Sequence, residues 1–348
     1  MREKYSIKEV ADLFSIKSNK LRFYEKKGLI SPKRDPKNDY RYFDNEDILK
    51  IHTILMYRAL DTPLKDIKDI MENTFKDNIL EHFYKQWEVT NDKIHKLRLI
   101  KDSMENIMDA IYECENKNYH DIIVENGKEI KRIYEIKDNW EDKWDFDGWA
   151  NVYDDFVEKD PSSLKMYKEY DNLLKTVYQN SIKGQDKNIK ILDIGVGTGN
   201  LSCKYLEGEY DIVGIDQSRE MLNKAKQKFP KLKLRLGEFL KIPFENKKFD
   251  VIVSTYAFHH LNEDEKKIAI KEMLRVLKDD GKIVIGDLMF KDNRSKQRIM
   301  RDLNEKQIME IEDEYYSNVD MLENEFEKYG REISIIKVDR LVYIVEVK

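Results

Sequence analysis

The second half of the chain alternates short apolar runs with longer amphipathic stretches. This alternation restricts the possible folds of the chain more than any other feature of its sequence. The apolar runs are Ile189–Ile194, Asp211–Ile215, Leu232–Leu236, Phe249–Thr255 and Lys282–Asp287. The helical stretches between them are Leu201–Leu206, Arg219–Lys228 and Glu263–Leu277. Strands that alternate with helices build a doubly wound α/β fold with a mostly parallel sheet. Two last runs, Ile333–Val338 and Leu341–Val347, are joined by a short turn and predict an antiparallel C-terminal edge.

The first part of the chain has the pattern of short helices. Ser6 and Glu9 have the spacing of a helix-capping box, and a second helical pattern begins near Ser18 and ends before Gly28. Two short helices joined by a few residues predict a helix-turn-helix unit. The segment 29–43 holds two prolines and an Asn-Asp pair, which predict a looped ribbon rather than a helix. We therefore expect an all-α domain that carries one loop-like wing.

Charge is concentrated in this first part. Between Lys17 and Arg41 there are nine cationic and three anionic side chains, a local net charge of +6 in a chain whose net charge is -5. A basic block in an acidic chain is expected where an element contacts phosphates. The alternative is an ordinary solvated surface.

The middle of the chain lacks helix breakers. Residues 76–116 contain no glycine and no proline, and their apolar residues recur at spacings of three and four with a change of phase near Leu97. This pattern predicts a dimerisation coiled coil over residues 73–118, or a single amphipathic helix packed on its own domain. Asn126-Gly127 lies between apolar runs, so residues 119–139 are expected to be a linker or a small hairpin. Trp140, Trp144 and Trp149 either cover the next domain or line a ligand pocket.

Three segments of the basic part match a known family. Arg22-Phe23-Tyr24-Glu25, Gly28-Leu29-Ile30 and Tyr40-Arg41-Tyr42 resemble the winged helix-turn-helix of MerR-family regulators over residues 5–71. Phe23 replaces one aromatic residue of the family pattern, and Phe43 supplies the last one. The resemblance implies a homodimer that binds an inverted repeat in double-stranded promoter DNA and distorts it, with RNA polymerase as a further partner.

A helix that enters the major groove reads base edges with the residues at its start, while cations around it hold phosphates. The predicted DNA-binding residues are Ser18, Asn19, Lys20, Arg22, Tyr24, Arg34, Tyr40 and Arg41. Leu21 and Phe23 are expected in the core. Metal sensing, which many MerR relatives perform through cysteines after the long helix, is not expected, because only Cys114 lies near that position.

A glycine-rich turn follows the first strand of the second half. Asp193-Ile194-Gly195-Val196-Gly197-Thr198-Gly199 lets the backbone approach a ligand closely, Asp216 ends the second strand, and Glu238 follows the third. This set resembles Rossmann-like class I methyltransferases that use S-adenosyl-L-methionine, rather than nicotinamide enzymes. The resemblance implies cofactor contacts by Asp193, Gly195, Gly197, Gly199, Asp216, Gln217, Glu238, Phe239 and Ser254. The family often has Asp at the third position, so the contact of the longer Glu238 is open.

The likeness extends along the rest of the chain. Gly148–Asp154, Val196–Leu201 and Ser254–Leu261 resemble the bacterial YrrT group of methyltransferases from about Trp140 onward. Tyr153, Tyr256, His259 and His260 are the candidate catalytic residues near the expected methyl group. Adjacent histidines in a regular segment cannot both face the site, and the alternative is that they hydrogen-bond the following helix.

The acceptor is expected to be a small molecule, because the motifs for methylating base amino groups or cytosine are absent. No signal peptide, membrane span or metal-ligand spacing is present, which predicts a cytoplasmic protein without a metal site. The predicted domains are residues 1–72 (winged helix-turn-helix), 73–118 (dimerisation helix), 119–139 (linker or hairpin) and 140–348 (methyltransferase). We expect a DNA-binding regulator that methylates a small molecule. The alternative is a non-catalytic regulator that senses S-adenosylmethionine or S-adenosylhomocysteine.

Overall fold

A computed structural model describes residues 4–74, 79–113, 119–138 and 142–348. The chain divides into two compact units, residues 1–96 and residues 97–348. Cys114 and Trp140 lie outside the described residues. None of the helices described in these ranges is long and apolar enough to cross a membrane.

The first unit combines short helices with a small antiparallel sheet. Its elements are β1 Tyr5–Ser6, α1 Ile7–Leu13, α2 Ser18–Lys26, β2 Lys33–Arg34, β3 Arg41–Phe43, α3 Asn45–Ala59 and α4 Leu64–Thr74. The strand order is β1-β3-β2. The helical domain with one wing is confirmed, and within the wing the segment after α2 folds back so that β2 pairs with β3. The capping box is confirmed: Ser6 Oγ accepts the Glu9 N–H, and Glu9 accepts the Ser6 N–H.

The burial of side chains on α2 contradicts the predictions made for Phe23 and Tyr24. Leu21 is buried as expected, but Phe23 is 44% exposed and Tyr24 is only 2% exposed. Residues three apart share a helix face, so Tyr24 joins Leu21 on the buried face of α2 and Phe23 points away from it. The Tyr24 ring therefore packs in the core with Val10, and it is not a surface for phosphate contact.

A long helix, α5, runs from Ile79 to Glu113. Apolar side chains along it are exposed, namely Leu80, Phe83, Ile94, Leu97, Ile100, Met104, Met108 and Ile111. An exposed apolar stripe on a helix of this length is what a coiled-coil partner would cover. The long helix is confirmed, and the coiled coil stays a prediction.

The predicted hairpin over residues 119–139 is wrong, because Tyr119–Asp138 forms helix α6. Gly127 does not leave the helical conformation, and the Asn126 side chain donates to the Ile122 carbonyl four residues earlier. The partly buried positions of α6 recur at spacings of three and four, from Ile122 to Lys137. The apolar periodicity therefore outweighs the turn preference of the Asn-Gly pair.

The second unit is built around one twisted sheet. Its helices after α6 are α7 Phe146–Trp149, α8 Tyr153–Lys159, α9 Tyr170–Ile182, α10 Ser202–Glu207, α11 Arg219–Lys228, α12 Glu263–Val276, α13 Asn293–Arg301, α14 Glu305–Glu312 and α15 Val319–Glu327. Its strands are β4 Lys190–Ile194, β5 Asp211–Asp216, β6 Lys233–Leu236, β7 Phe249–Thr255, β8 Leu277–Phe290, β9 Ser317–Asn318, β10 Ile333–Lys337 and β11 Val342–Val347.

The strand order is β10-β11-β8-β7-β4-β5-β6, with β9 beside β8. Strands β4 to β8 pair in parallel, whereas β11 is antiparallel to both β8 and β10. The mostly parallel sheet and its antiparallel C-terminal edge are thus confirmed.

Apolar residues of the central strands are buried on both sheet faces. Leu192 and Ile194 belong to one hydrophobic cluster, and Ile191 belongs to the other. The strand order reverses beside β4, since β5 lies on one side of it and β7 on the other. In such sheets ligands bind outside the carboxyl ends of the strands at the point of reversal. The topology therefore places a binding site at the ends of β4, β5 and β7.

Candidate functional site

A cavity lies at the predicted end of the sheet, and the glycine-rich turn after β4 forms part of its wall. Gly195 has a φ of +72°, and a Cβ there would come within 2.5 Å of the Ala257 Cβ. Gly197 has a φ of +51° with open space where its side chain would be. Both positions require glycine for the backbone conformation, and Gly195 requires it for space as well. Gly199 packs against Phe229 and does not line the cavity.

Asp216 ends β5 at the wall of the same cavity. Its Oδ2 accepts the Gly197 N–H at 2.8 Å, and its Oδ1 accepts the Ser218 N–H at 2.9 Å. Burial raises the pKa of Asp216 to about 6, although these backbone donors oppose the shift. Gln217 lines the cavity beside it. The carboxylate thus ties the glycine-rich turn to β5 and presents acceptor oxygens near the cavity.

Two other predicted cofactor residues have structural positions. Asp193 is buried and accepts the Ser202 Oγ hydrogen at 2.7 Å, and burial raises its pKa to about 7. Ser254 is fully buried, and its Oγ has no hydrogen-bond partner among the described residues. Neither lines the cavity, whereas Thr255 does. Together with Gly199, these residues correct the predicted set of cofactor contacts.

The remaining predicted contacts surround the end of β6. Gly237, Glu238, Phe239 and Leu240 all line the cavity. The Phe239 ring packs edge-on against Phe258, with ring centroids 5.4 Å apart. This part of the wall combines one carboxylate with an aromatic ring that is fixed by its neighbour.

Aromatic rings form most of the opposite wall. The lining rings are Trp144, Phe146, Trp149, Tyr153, Phe156, Tyr167, Tyr170, Tyr256, His259 and His260. Trp144 and Trp149 therefore have the second of the two predicted roles, lining a pocket, whereas Trp140 lies outside the described residues.

The buried tyrosines of this wall are neutral phenols. Burial raises the pKa of Tyr170 to about 12 and the pKa values of Tyr153 and Tyr256 above their usual range. The Tyr256 hydroxyl donates to the Met166 carbonyl at 3.0 Å. Tyr153 and Tyr256, both predicted as catalytic candidates, are thus placed at the cavity but are poor proton acceptors.

Both predicted histidines line the cavity. Phe258–His260 is a single 3-10 turn, and the His259 and His260 rings lie 4.1 Å apart. The restriction to one histidine applied to a regular segment, and this segment is neither a regular strand nor an α-helix. The His259 ring hydrogen-bonds Asp287 through Nδ1 at 2.5 Å, and the His260 ring hydrogen-bonds Glu314 through Nδ1 at 3.0 Å. These carboxylates, not the following helix, are the partners of the two rings.

The two histidines have opposite pKa shifts. Burial lowers the pKa of His259, but the Asp287 carboxylate outweighs burial and the net pKa is raised. Burial and the nearby His259 lower the pKa of His260. Ligand atoms of His259, His260 and Glu314 lie within 4.8 Å of one another, a set that could hold a metal ion.

Two aspartates that the sequence reasoning missed attach helices α7 and α8, which carry lining rings of the cavity, to the rest of the unit. Asp147 of α7 accepts the Ser218 hydroxyl at 2.6 Å. Asp154 of α8 accepts the Thr198 hydroxyl at 2.6 Å and the Lys228 ammonium at 2.6 Å. Each bond joins residues more than forty positions apart. Only the tertiary structure brings these partners together.

The predicted DNA-binding residues occupy the surface of the first unit, apart from Tyr24. Asn19 and Lys20 are exposed on the first turn of α2, where Ser18 is half-buried. Tyr40 is 74% exposed at the loop between β2 and β3. Several of the cations have intramolecular partners: Arg22 with Asn19, Arg34 with Asp39, and Arg41 with Glu25. These partners orient the cations at the same surface.

Known proteins resemble both parts of the chain. The profile of the MerR HTH family regulatory proteins matches residues 5–74, and the profile of a methyltransferase domain matches residues 191–281. An uncharacterised methyltransferase of Oceanobacillus iheyensis is 39% identical over 209 residues, which are 58% of this chain and 95% of that protein. An uncharacterised methyltransferase of Bacillus cereus is 34% identical over 207 residues, which are 58% of this chain and 94% of that protein.

Solved structures give a weaker likeness. A protein from Pyrococcus horikoshii OT3 is 22% identical, and the match covers 52% of this chain and 91% of that one with a TM-score of 0.44.

Proposed function

We propose that the chain is a DNA-binding regulator whose second unit binds S-adenosyl-L-methionine and methylates a small molecule. The chain belongs to the methyltransferase family of these Oceanobacillus and Bacillus proteins, and its residues 5–74 match the MerR-type helix-turn-helix domain.

The observation that carries the cofactor proposal is the position of Asp216. Its carboxylate lines the cavity directly beside the open backbone of Gly197, so hydroxyl donors of a ligand can reach acceptor oxygens next to the glycine-rich turn. Glu238 and Phe239 add a second carboxylate and a flat apolar surface. A ribose and an adenine ring fit this set of acceptors and surfaces. Gly195, Gly197, Asp216, Gln217, Glu238 and Phe239 are the residues that would hold S-adenosyl-L-methionine.

Bound there, the cofactor would supply a methyl group on a positively charged sulfur, which makes the transfer intrinsically favourable. The protein would then contribute mainly binding, orientation and the exclusion of water. The roof formed by α7 and α8 suits this role, since Asp147 and Asp154 hold it on the loops after β5 and β4. A ring-lined cavity of this kind favours a small acceptor over a macromolecule.

The first unit would bind double-stranded promoter DNA. The MerR match, the basic block and the exposed residues at the start of α2 support a recognition helix in the major groove. We further propose that the chain forms a homodimer through the exposed apolar stripe of α5 and binds an inverted repeat. RNA polymerase is the further partner in this proposal.

One observation also supports a regulator that senses the cofactor without chemistry. The roof helices α7 and α8 contact the loops of the proposed cofactor site through Asp147 and Asp154, and in sequence they follow the long helices α5 and α6. A ligand that orders the roof would act on the segment that precedes it. In that case the same cavity would serve regulation alone.

The first test is calorimetric binding of S-adenosyl-L-methionine to the full chain and to Asp216→Ala. We expect stoichiometric binding that is weakened at least about tenfold, or 1.4 kcal/mol, in the variant. No binding by the unaltered protein would refute the cofactor proposal.

The second test measures promoter DNA affinity with and without saturating S-adenosyl-L-methionine at fixed salt. Because coupling between two ligands is reciprocal, a sensor must show a shift of DNA affinity in this experiment. An unchanged affinity, with cofactor binding confirmed on the same sample, favours the enzyme and starts the search for the acceptor in cell extracts.

A further inference from the structure

Two histidines and a glutamate converge in the wall of the cavity. A ring nitrogen of His259, a ring nitrogen of His260 and a carboxylate oxygen of Glu314 all lie within 4.8 Å of one another. All three residues line the cavity, and none of them is among the residues proposed to hold the cofactor. Glu314 lies 54 positions after His260, between α14 and β9, so sequence spacing did not indicate this set. The tertiary structure thus brings three metal-ligating side chains together.

The spacing of one pair is close to that of two ligands on one ion. His260 Nδ1 and Glu314 Oε2 lie 3.0 Å apart, which without a metal is a hydrogen bond. Two ligand atoms at about 2.0–2.1 Å from a tetrahedral Zn²⁺ lie roughly 3.3 Å apart. The 4.8 Å limit places the His259 nitrogen at most about 1.5 Å beyond that spacing. Side-chain rotation alone would then complete the set.

Asp287 on β8 orients the His259 ring. It is only 1% exposed, its Oδ1 accepts the His259 Nδ1–H at 2.5 Å, and its Oδ2 accepts the His259 backbone N–H at 2.9 Å. Because a carboxylate can only accept, Nδ1 carries the hydrogen, and in the neutral ring the other nitrogen has the lone pair that a metal needs. Metal-binding histidines almost always donate their other ring N–H to a carboxylate or a carbonyl, which fixes the ring. His259 therefore has the support that is typical of a metal ligand.

The charges around these side chains favour a cation with more than one charge. Glu314 and Asp287 are carboxylates, and the ammonium group of Lys266 on α12 interacts with both of them. Lys266 donates hydrogen bonds to the backbone carbonyls of Leu261 and Tyr315. Two carboxylates and one ammonium leave one negative charge in excess. A divalent cation between the rings would neutralise it.

We propose that His259, His260 and Glu314 bind one Zn²⁺ ion, and that Asp287 positions the His259 ring for this role. Two histidines and one glutamate form the donor set of catalytic zinc sites, in which a further coordination position stays open. Imidazole ligands favour Zn²⁺ over Mg²⁺ and Ca²⁺, which prefer oxygen ligands, and such sets bind Zn²⁺ more tightly than Mn²⁺ or Fe²⁺. The open position would adjoin the cavity, where an oxygen or sulfur atom of a small molecule would replace water. The inference goes beyond the proposed methyl transfer and does not depend on it.

The test uses the untagged full chain after removal of metals with a chelator, which is then dialysed away. Calorimetric titration with Zn²⁺ is expected to show one ion bound per chain. Titration with Co²⁺ is expected to give the visible absorption bands of a four- or five-coordinate ion, which added Zn²⁺ removes, and no cobalt–thiolate charge-transfer band. The Trp144 and His260 rings lie 4.5 Å apart between centroids, so Co²⁺ is also expected to quench tryptophan fluorescence.

Single substitutions assign the ligands. His260→Gln and Glu314→Gln are each expected to weaken Zn²⁺ binding at least about a hundredfold, and Asp287→Asn about tenfold or more, because it removes only the support of a ligand. His120→Gln is the matched control, since His120 is exposed on α6 and does not line the cavity. Its affinity for Zn²⁺ is expected to equal that of the unaltered chain. Circular dichroism shows whether each variant is folded.

Each result decides the proposal. No stoichiometric binding of Zn²⁺ by the unaltered chain overturns it, and so does an unchanged affinity in His260→Gln and Glu314→Gln. An equal loss in His120→Gln also overturns it, because the ion would then bind elsewhere. If a variant does not fold, the cobalt spectrum of the unaltered chain decides: nitrogen and oxygen ligation with quenched fluorescence supports the site, and a thiolate band or unquenched fluorescence overturns it. Failure of the chain to bind S-adenosyl-L-methionine is a separate result, because no step of this titration contains the cofactor.

Discussion

Cofactor affinity should depend on pH through Asp216. Burial raises the pKa of this carboxyl to about 6, and its charged form accepts the N–H groups of Gly197 and Ser218 while facing the cavity. A protonated carboxyl loses acceptor strength towards the ligand hydroxyls and towards the turn that supports them. Affinity should therefore be constant above the pKa and fall as the pH drops through it.

The magnitude follows from the ionised fraction. One pH unit below a pKa of about 6, roughly a tenth of the carboxyl groups are charged, and the apparent Kd rises by the inverse of that fraction. We expect a Kd about tenfold higher near pH 5 than near pH 8, a difference of about 1.4 kcal/mol. Each further unit of acidification should add another factor of about ten until the protein unfolds.

Calorimetry with S-adenosylhomocysteine over this range, at constant ionic strength, measures the effect. Asp216→Asn should bind more weakly and lose the pH dependence. Asp193→Asn is the matched control: it removes a neighbouring buried carboxyl with a pKa of about 7 that does not line the cavity, so the pH dependence should persist. A Kd that is flat between pH 8 and pH 5, or an equal slope in Asp216→Asn, would refute the reasoning.

Further predictions concern stability and DNA binding. Gly197→Ala should lower the free energy of unfolding by about 1 kcal/mol, because alanine is strained in the left-handed backbone conformation. Gly195→Ala should lower it by about 1–3 kcal/mol more, because the added Cβ also clashes with Ala257. Thermal unfolding measures both losses, and equal losses would contradict the clash. Ser254→Ala should keep or raise the melting temperature and leave cofactor affinity unchanged, because its buried Oγ has no partner in the described residues. Arg41→Ala should weaken binding to all duplexes and reduce the salt slope by about 0.9, whereas the exposed Lys175→Ala should leave the slope unchanged.

The architecture was predictable where one local pattern dominated. The runs that became β4, β7 and the second part of β8 are largely apolar and buried, and the structure confirms the mostly parallel sheet. The capping box of Ser6 and Glu9 was also predictable, because it involves residues three apart. The Asn126-Gly127 pair led to the wrong prediction of a hairpin. Its preference for a turn contributes less stability than a continuous helix with one buried face.

Most of the cavity residues that could be predicted follow strands, and Tyr153 on α8 is an exception that came from a family motif. Asp216 and Gly195 stand at strand ends, where the topology sends ligands, and both line the cavity. Asp193 lies two residues before Gly195, but its side chain is buried, accepts the Ser202 hydroxyl and does not line the cavity, whereas the next residue, Ile194, does. Asp287 and Asp154 escaped notice because their partners lie 28 and 44 residues away, a separation that sequence spacing does not encode.

The pKa values of two buried carboxyl groups, Asp216 and Asp287, are shifted in opposite directions. Cofactor binding and protonation of His259 are therefore expected to respond differently to pH. Asp216 has backbone N–H donors as its main partners, so burial prevails and its pKa rises to about 6. Asp287 faces the His259 ring, so attraction to the protonated ring outweighs burial and its pKa falls. On acidification Asp216 therefore loses its charge while Asp287 keeps it, and His259, whose pKa is raised, takes a proton. Cofactor affinity should then follow the ionisation of Asp216, and Asp216→Asn should remove this pH dependence.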